Sequence, residues 1–112
     1  MYALDKIIAN TDIEKLLDYY GFEISNREGN ILRAKCKIHG GDNPTAFVIN
    51  RETTLWFCHT GDCGGGDAIE LVQKMSGLSF PQAVDWLSQF FNIDISGLEI
   101  AERKSKLKKE LD

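Results

Sequence analysis

Apolar and polar positions along the 112-residue chain change period twice. In the first stretch, Thr11-Asp12-Ile13-Glu14 reads as a capping box, with Thr11 capping a helix and Glu14 reaching back to it. Ile13, Leu16, Leu17 and Tyr20 then recur at helical spacing, and Gly21 is placed to end that helix. A second stretch reads as β. Short segments at 22–25 and 31–35 flank the turn-rich residues 26–30, and segments at 46–50 and 55–58 flank Arg51-Glu52-Thr53-Thr54 as a hairpin. After Gly64-Gly65-Gly66 the helical period returns. Ala68, Ile69, Leu71, Val72 and Met75 fit a helix that starts near Asp67 and stops at Gly77. Ser79-Phe80-Pro81-Gln82 opens another, with Ser79 as N-cap, Pro81 in the first turn, and Phe80, Ala83, Val84, Leu87 and Phe91 on its buried face. The pattern predicts an α+β fold, a small antiparallel sheet with flanking helices, over residues 1–95. Residues 96–112 have little apolar face and read as a charged linker or a solvated helix.

Size sharpens this picture. Hydrophobic residues make up 43% of the chain, enough for one small core that an added staple would help. No apolar run approaches the ~20 residues that cross a bilayer, and the first residues lack the pattern of a secretory leader. The expectation is a cytoplasmic protein without a membrane partner.

The staple is legible in the cysteines. Three of them suit a disulfide framework badly, and in a reducing compartment clustered Cys and His serve more often as metal ligands. Cys36 and His39 form one pair, two residues apart in the intervening count, and Cys58 and Cys63 form another with four residues between. The eighteen residues from His39 to Cys58 match the length of a two-stranded hairpin. A β-type segment precedes each pair and glycine follows it. This is the layout of one structural Zn²⁺ held by Cys36, His39, Cys58 and Cys63. His59 competes with His39, but it adjoins Cys58 in a strand end and points to the opposite side. Four protein ligands leave no position for a reactive water, and three dispersed cysteines do not make an activated nucleophile. No Asp-x-Asp pair or acidic cluster suited to two magnesium ions is present, so a noncatalytic module is expected.

These residues resemble the Cys-His-Cys-Cys zinc-binding domain of bacterial and phage DNA primases. The likeness runs over 11–92, through Cys36-x2-His39, Pro44, Phe47-Val48-Ile49, Trp56-Phe57-Cys58, the run from Cys63 to Ile69, and Phe80-Pro81-Gln82-Ala83-Val84. It implies a zinc ribbon that contacts single-stranded DNA template through its sheet and helps a separate catalytic domain begin an RNA primer. A helicase is a further partner of such a module.

Charge bears on that contact. The net charge is −4, yet residues 31–60 carry four bases (Arg33, Lys35, Lys37, Arg51) against two acids, whereas 61–100 carry six acids against Lys74. Strand alternation puts Arg33 and Lys35 on one face with Ile31, opposite Leu32, Ala34 and Cys36. Arg33 and Lys35 are therefore expected to grip phosphates, with Lys37 and Arg51 nearby. Trp56 is either a base-stacking platform or a core residue. The acidity of 61–100 keeps a second reading open: a zinc-stabilised protein-interaction module of a phage or mobile-element replication protein, without DNA binding.

Overall fold

The computed structural model describes residues 3–59 and 63–96. The element order is α1 (Ala3–Asn10), α2 (Ile13–Tyr19), β1 (Ile24–Glu28), β2 (Ile31–Ala34), β3 (Phe47–Asn50), β4 (Trp56–Cys58), β5 (Gly65–Gly66), α3 (Ala68–Ser76) and α4 (Phe80–Phe90). The strands form one antiparallel sheet in sequence order, β1-β2-β3-β4-β5, so each pairs with its chain neighbour. The helices cover one face. Leu4, Ile7, Ile13, Leu16 and Leu17 from α1 and α2 meet Leu32, Phe47, Ile49 and Trp56 from the sheet and Leu71, Val72 and Leu87 from α3 and α4 in one buried cluster. Period-2 alternation decides which strand residues join it: Leu32 and Ala34 are buried, and Ile31 and Arg33 are half-buried on the other face.

The two C-terminal helices begin and end on the residues that their caps predict. The Asp67 side chain accepts the Ile69 and Glu70 N–H groups at 3.0 and 3.1 Å. Gly77 closes α3 at φ +67°, its N–H donating to the Gln73 carbonyl. Ser79 and Gln82 complete a reciprocal box at the start of α4. Ala83, Val84 and Leu87 are buried as expected, with Phe80 and Phe91 half-buried.

The first half departs from the expected pattern at three places. An eight-residue helix, α1, precedes the predicted one and ends against it. Thr11 serves α1 instead of capping α2: its hydroxyl donates to the Ile7 carbonyl at 2.6 Å. Asp12 is the N-cap of α2, accepting the Lys15 N–H. Glu14, freed from any box, reaches across to Arg27 and to Arg51 (3.3 Å), and the Arg27 hydrogen bond above all holds its carboxyl below the usual range. The first strand begins at Ile24, not at residue 22, because Phe22 completes the helix end. Its N–H donates to Leu17 O and that of Gly21, at φ +82°, to Asp18 O, the double bond of a Schellman motif with its apolar cap. The third departure is β5, two glycines that carry no strand propensity of their own and that pair with Trp56 and Phe57.

Residues 97–112, most of the predicted linker or solvated helix, lie outside the described residues, as do 60–62 within the second ligand loop. Among the described residues no helix is long and apolar enough to cross a membrane.

Candidate metal centre and the outer sheet face

Four donors converge at one end of the sheet. Cys36 follows β2 on the inward-facing period, His39 lies on the turn after it, Cys58 ends β4, and Cys63 sits just before β5. Their ligand atoms all lie within 4.8 Å of one another. The Cys36 and Cys63 sulfurs are 3.6 Å apart, and His39 Nδ1 stands 3.1 Å from Cys63 Sγ and 3.6 Å from Cys58 Sγ. A tetrahedron with Zn–S near 2.3 Å and Zn–N near 2.05 Å has edges of about 3.8 Å (S–S) and about 3.6 Å (S–N). The observed spacings are close to these, and three thiols with one imidazole are a donor set that zinc favours. Cys36, His39, Cys58 and Cys63 are thus positioned to bind one zinc ion. His59 is not among them; its ring packs edge-on against Phe57 at 5.0 Å.

The loops that carry the donors are held by backbone bonds. The Gly41 N–H donates to Cys36 O at 3.0 Å and the Cys58 N–H to Gly64 O at 3.1 Å, with Gly40 and Gly64 at φ +70° and +74°. All three cysteines are buried. Burial, with the neighbouring Cys36 and Cys58 sulfurs, pushes the Cys63 thiol up to about 12. Zinc takes the thiolate, so loading the centre displaces a proton that the metal-free site holds firmly.

Gly41 has a second role. A Cβ there would stand 2.4 Å from His39 Nε2. The glycine is the floor on which the imidazole rests while Nδ1 faces the sulfurs. Gly41→Ala is expected to tilt the ring and lower zinc affinity roughly 10- to 100-fold, the range for groups that orient a metal ligand. Competition against a chromogenic chelator measures this, and an unchanged affinity would show that the ring is placed by other contacts.

The candidate nucleic-acid residues separate. Arg33 lies on the outer face, half-buried with Nη1 donating to Thr45 O at 3.3 Å, and Lys35, just past the end of β2, is exposed. Arg51 turns elsewhere: Nε donates to Asn30 Oδ1 and Nη1 pairs with Glu14, so its charge is already opposed. The Lys37 stem lies beside Gly21, at the C-terminal end of α2, where a cation is favoured by the helix dipole. Trp56 is a core residue, not a platform. It is 4% exposed, stacks on Phe47 with centroids 5.6 Å apart, and donates its indole N–H to Asp67 O at 2.8 Å.

Phe57, not among the expected nucleic-acid residues, is the aromatic residue that β4 turns outward, at 51% exposure. The signal was present. Cys58 must face the metal, so Trp56 shares its side, and Leu55, Phe57 and His59 take the other.

Comparison with known proteins agrees with this arrangement. A family model described as CHC2 zinc finger, the DnaG zinc ribbon, matches residues 1–104. A DNA primase of Thermotoga maritima is 32% identical over 95 residues, which are 84% of this chain and 16% of that protein. A DNA primase of Neisseria meningitidis serogroup A is 33% identical over 87 residues, 76% of this chain and 14% of that protein. The chain therefore spans a small part of the length of these curated relatives. Among solved structures, an Aquifex aeolicus primase comprising zinc-binding and RNA polymerase domains shares the fold, with a TM-score of 0.66 at 24% identity over 88% of this chain and 24% of that one.

Proposed function

The chain belongs to the CHC2 zinc-finger family, the zinc-binding domain of DNA primases, and on that footing we propose that it is a noncatalytic module that holds single-stranded DNA template during primer initiation. The observation that carries this reading is the two-sidedness of β2. Leu32, Ala34 and, just beyond the strand, Cys36 tie it to the core and the metal, while Arg33 and Lys35 face outward from the same run. The zinc site fixes the strand end, so the two cations have a defined separation and direction instead of the free motion of a tail. With four protein ligands the metal has no open position, and its role is to shape the sheet, not to activate water. The polymerising chemistry then belongs to a primase catalytic domain, the partner class suggested by the relatives' names, with a replicative helicase as a further partner. Such work places the module in the cytoplasm.

Affinity for a labelled oligothymidylate, followed against salt concentration with the zinc-loaded chain, tests the proposal. Each phosphate contact to a single strand contributes about 0.7 to the slope of log affinity against log salt. Arg33→Gln and Lys35→Gln are each expected to lower the slope by about that amount, whereas Arg51→Gln changes it little because Glu14 already occupies that guanidinium. A folded, zinc-loaded chain that binds no single strand at low salt would end this reading.

A further inference from the structure

Two phosphate-gripping cations leave the rest of the outer sheet face unexplained. Register puts Arg33, Val48, Phe57 and Gly65 in one row across β2, β3, β4 and β5. Ile31 and Asn50 pair in the next row, with Leu55 beside Asn50. Ile31, Val48, Asn50, Leu55, Trp56, Phe57 and His59 line an open groove of about 270 Å³. Leu55 and Phe57 are 55% and 51% exposed. A short, apolar, solvent-facing patch near a sheet edge gains nothing for folding and invites unwanted association. The Phe57 ring nonetheless has neighbours: His59 packs edge-on against it, and a Cβ at Gly65 would come within 3.2 Å of its Cδ2, a tight contact that a small shift of the ring would relieve.

The chemistry around the groove selects its occupant. Arg33 stands in the same row two strands from Phe57, roughly 10 Å away, a gap that a nucleotide and an extended arginine side chain bridge together. Lys35 continues the positive side towards the metal. The one acid that the register places in these two rows is Glu28, which pairs with Ile31 from β1, three strands from Phe57, and Glu52 lies in the β3–β4 turn. A flat aromatic ring beside an apolar floor, with cations at one phosphate's reach, fits an unpaired base better than an apolar peptide, which has no use for the cations. We infer that Phe57 is a stacking platform for one unpaired nucleobase whose phosphate is held by Arg33 and Lys35, so that this groove distinguishes single strands from duplex. The inference rests on the template-contact reading above and adds a base contact to it.

The test uses the full zinc-loaded chain and two probes, a labelled oligothymidylate and a duplex of matched length. Phe57→Ala is expected to weaken single-strand binding roughly 5- to 140-fold, the span of one lost base stack, with the salt slope and the duplex affinity unchanged. Phe57→Trp is expected to retain the affinity. Should the alanine variant lose zinc or melt without cooperativity, Phe57→Leu replaces it, keeping apolar bulk without the π face, and the same loss is expected. Wild-type affinity in the alanine or leucine variant, while Arg33→Gln and Lys35→Gln still lower the slope, would overturn the stacking site and leave template contact standing. Absence of single-strand binding by the wild-type chain would overturn both. A wild-type dimer in sedimentation that Phe57→Ala converts to monomer would also overturn it, since the groove would then be filled by a second copy of the chain.

Discussion

Removal of zinc by a strong chelator is expected to unfold the chain. The three cysteines are not appended to a finished core; Cys36 and Cys58 are 0% and 1% exposed and pack within the same cluster as Leu32, Phe47 and Trp56. Structural zinc sites of this kind contribute on the order of 10–16 kcal/mol of apparent binding free energy at neutral pH. A domain of this size has a net stability of about 5–15 kcal/mol. Losing the metal therefore removes as much as the whole margin. Trp56 reports the event, because its indole is buried and bonded to Asp67 O at 2.8 Å, so its emission should shift to the red as the helical circular dichroism falls. Restoring one equivalent of zinc should restore both signals. Acid should act in the same direction, since zinc binds deprotonated thiols and a neutral imidazole. An identical melting curve with and without chelator would overturn the structural role of the centre.

The second large effect is expected at Phe47. Its side chain is fully buried, with Phe22 at 4.7 Å and Trp56 at 5.6 Å between ring centroids. It also pairs in register with Cys58, so it supports the strand that delivers a metal ligand. Phe47→Ala leaves a cavity beside Phe22 and Trp56 and is expected to cost about 3–5 kcal/mol. At roughly 4 °C per kcal/mol for a domain of this length, the zinc-loaded protein should melt some 10–20 °C lower by calorimetry. Phe47→Leu keeps most of the volume and should cost less than half as much. A drop of only a few degrees in the alanine variant would mean that the neighbouring rings close the gap.

Metal and core are thus one structure, which explains how so few apolar residues hold a five-stranded sheet. The zinc clasps the ends of β2 and β4 and the approach to β5, while Glu14 clasps the opposite hairpin turns through Arg27 and Arg51. The exposed Glu14 pairs are worth little individually, so the metal end carries the burden.

What the sequence determined by itself was whatever depends on neighbours a few residues apart. Asp67, Gly77, Ser79 and Gln82 act on backbone groups within a turn, so α3 and α4 were readable from them. The ligand spacing and the alternation along β2 placed Cys36 inward and Arg33 and Lys35 outward, because a strand's period leaves no other choice. Tertiary structure decided the rest. Leu4, Ile7 and Ile8 carried a helical spacing for α1, but eight residues do not sustain a helix without something to pack on. The two glycines of β5 become a strand only because β4 offers an edge, and at Gly65 only a missing Cβ clears Trp56 O, 2.6 Å from where that Cβ would stand. Glu14 and Arg51 lie thirty-seven residues apart, and Trp56 and Asp67 eleven. Such pairings are set by the closure of the chain in space, so the fate of a charge or an indole is fixed only when the core and the metal have brought its partner within reach.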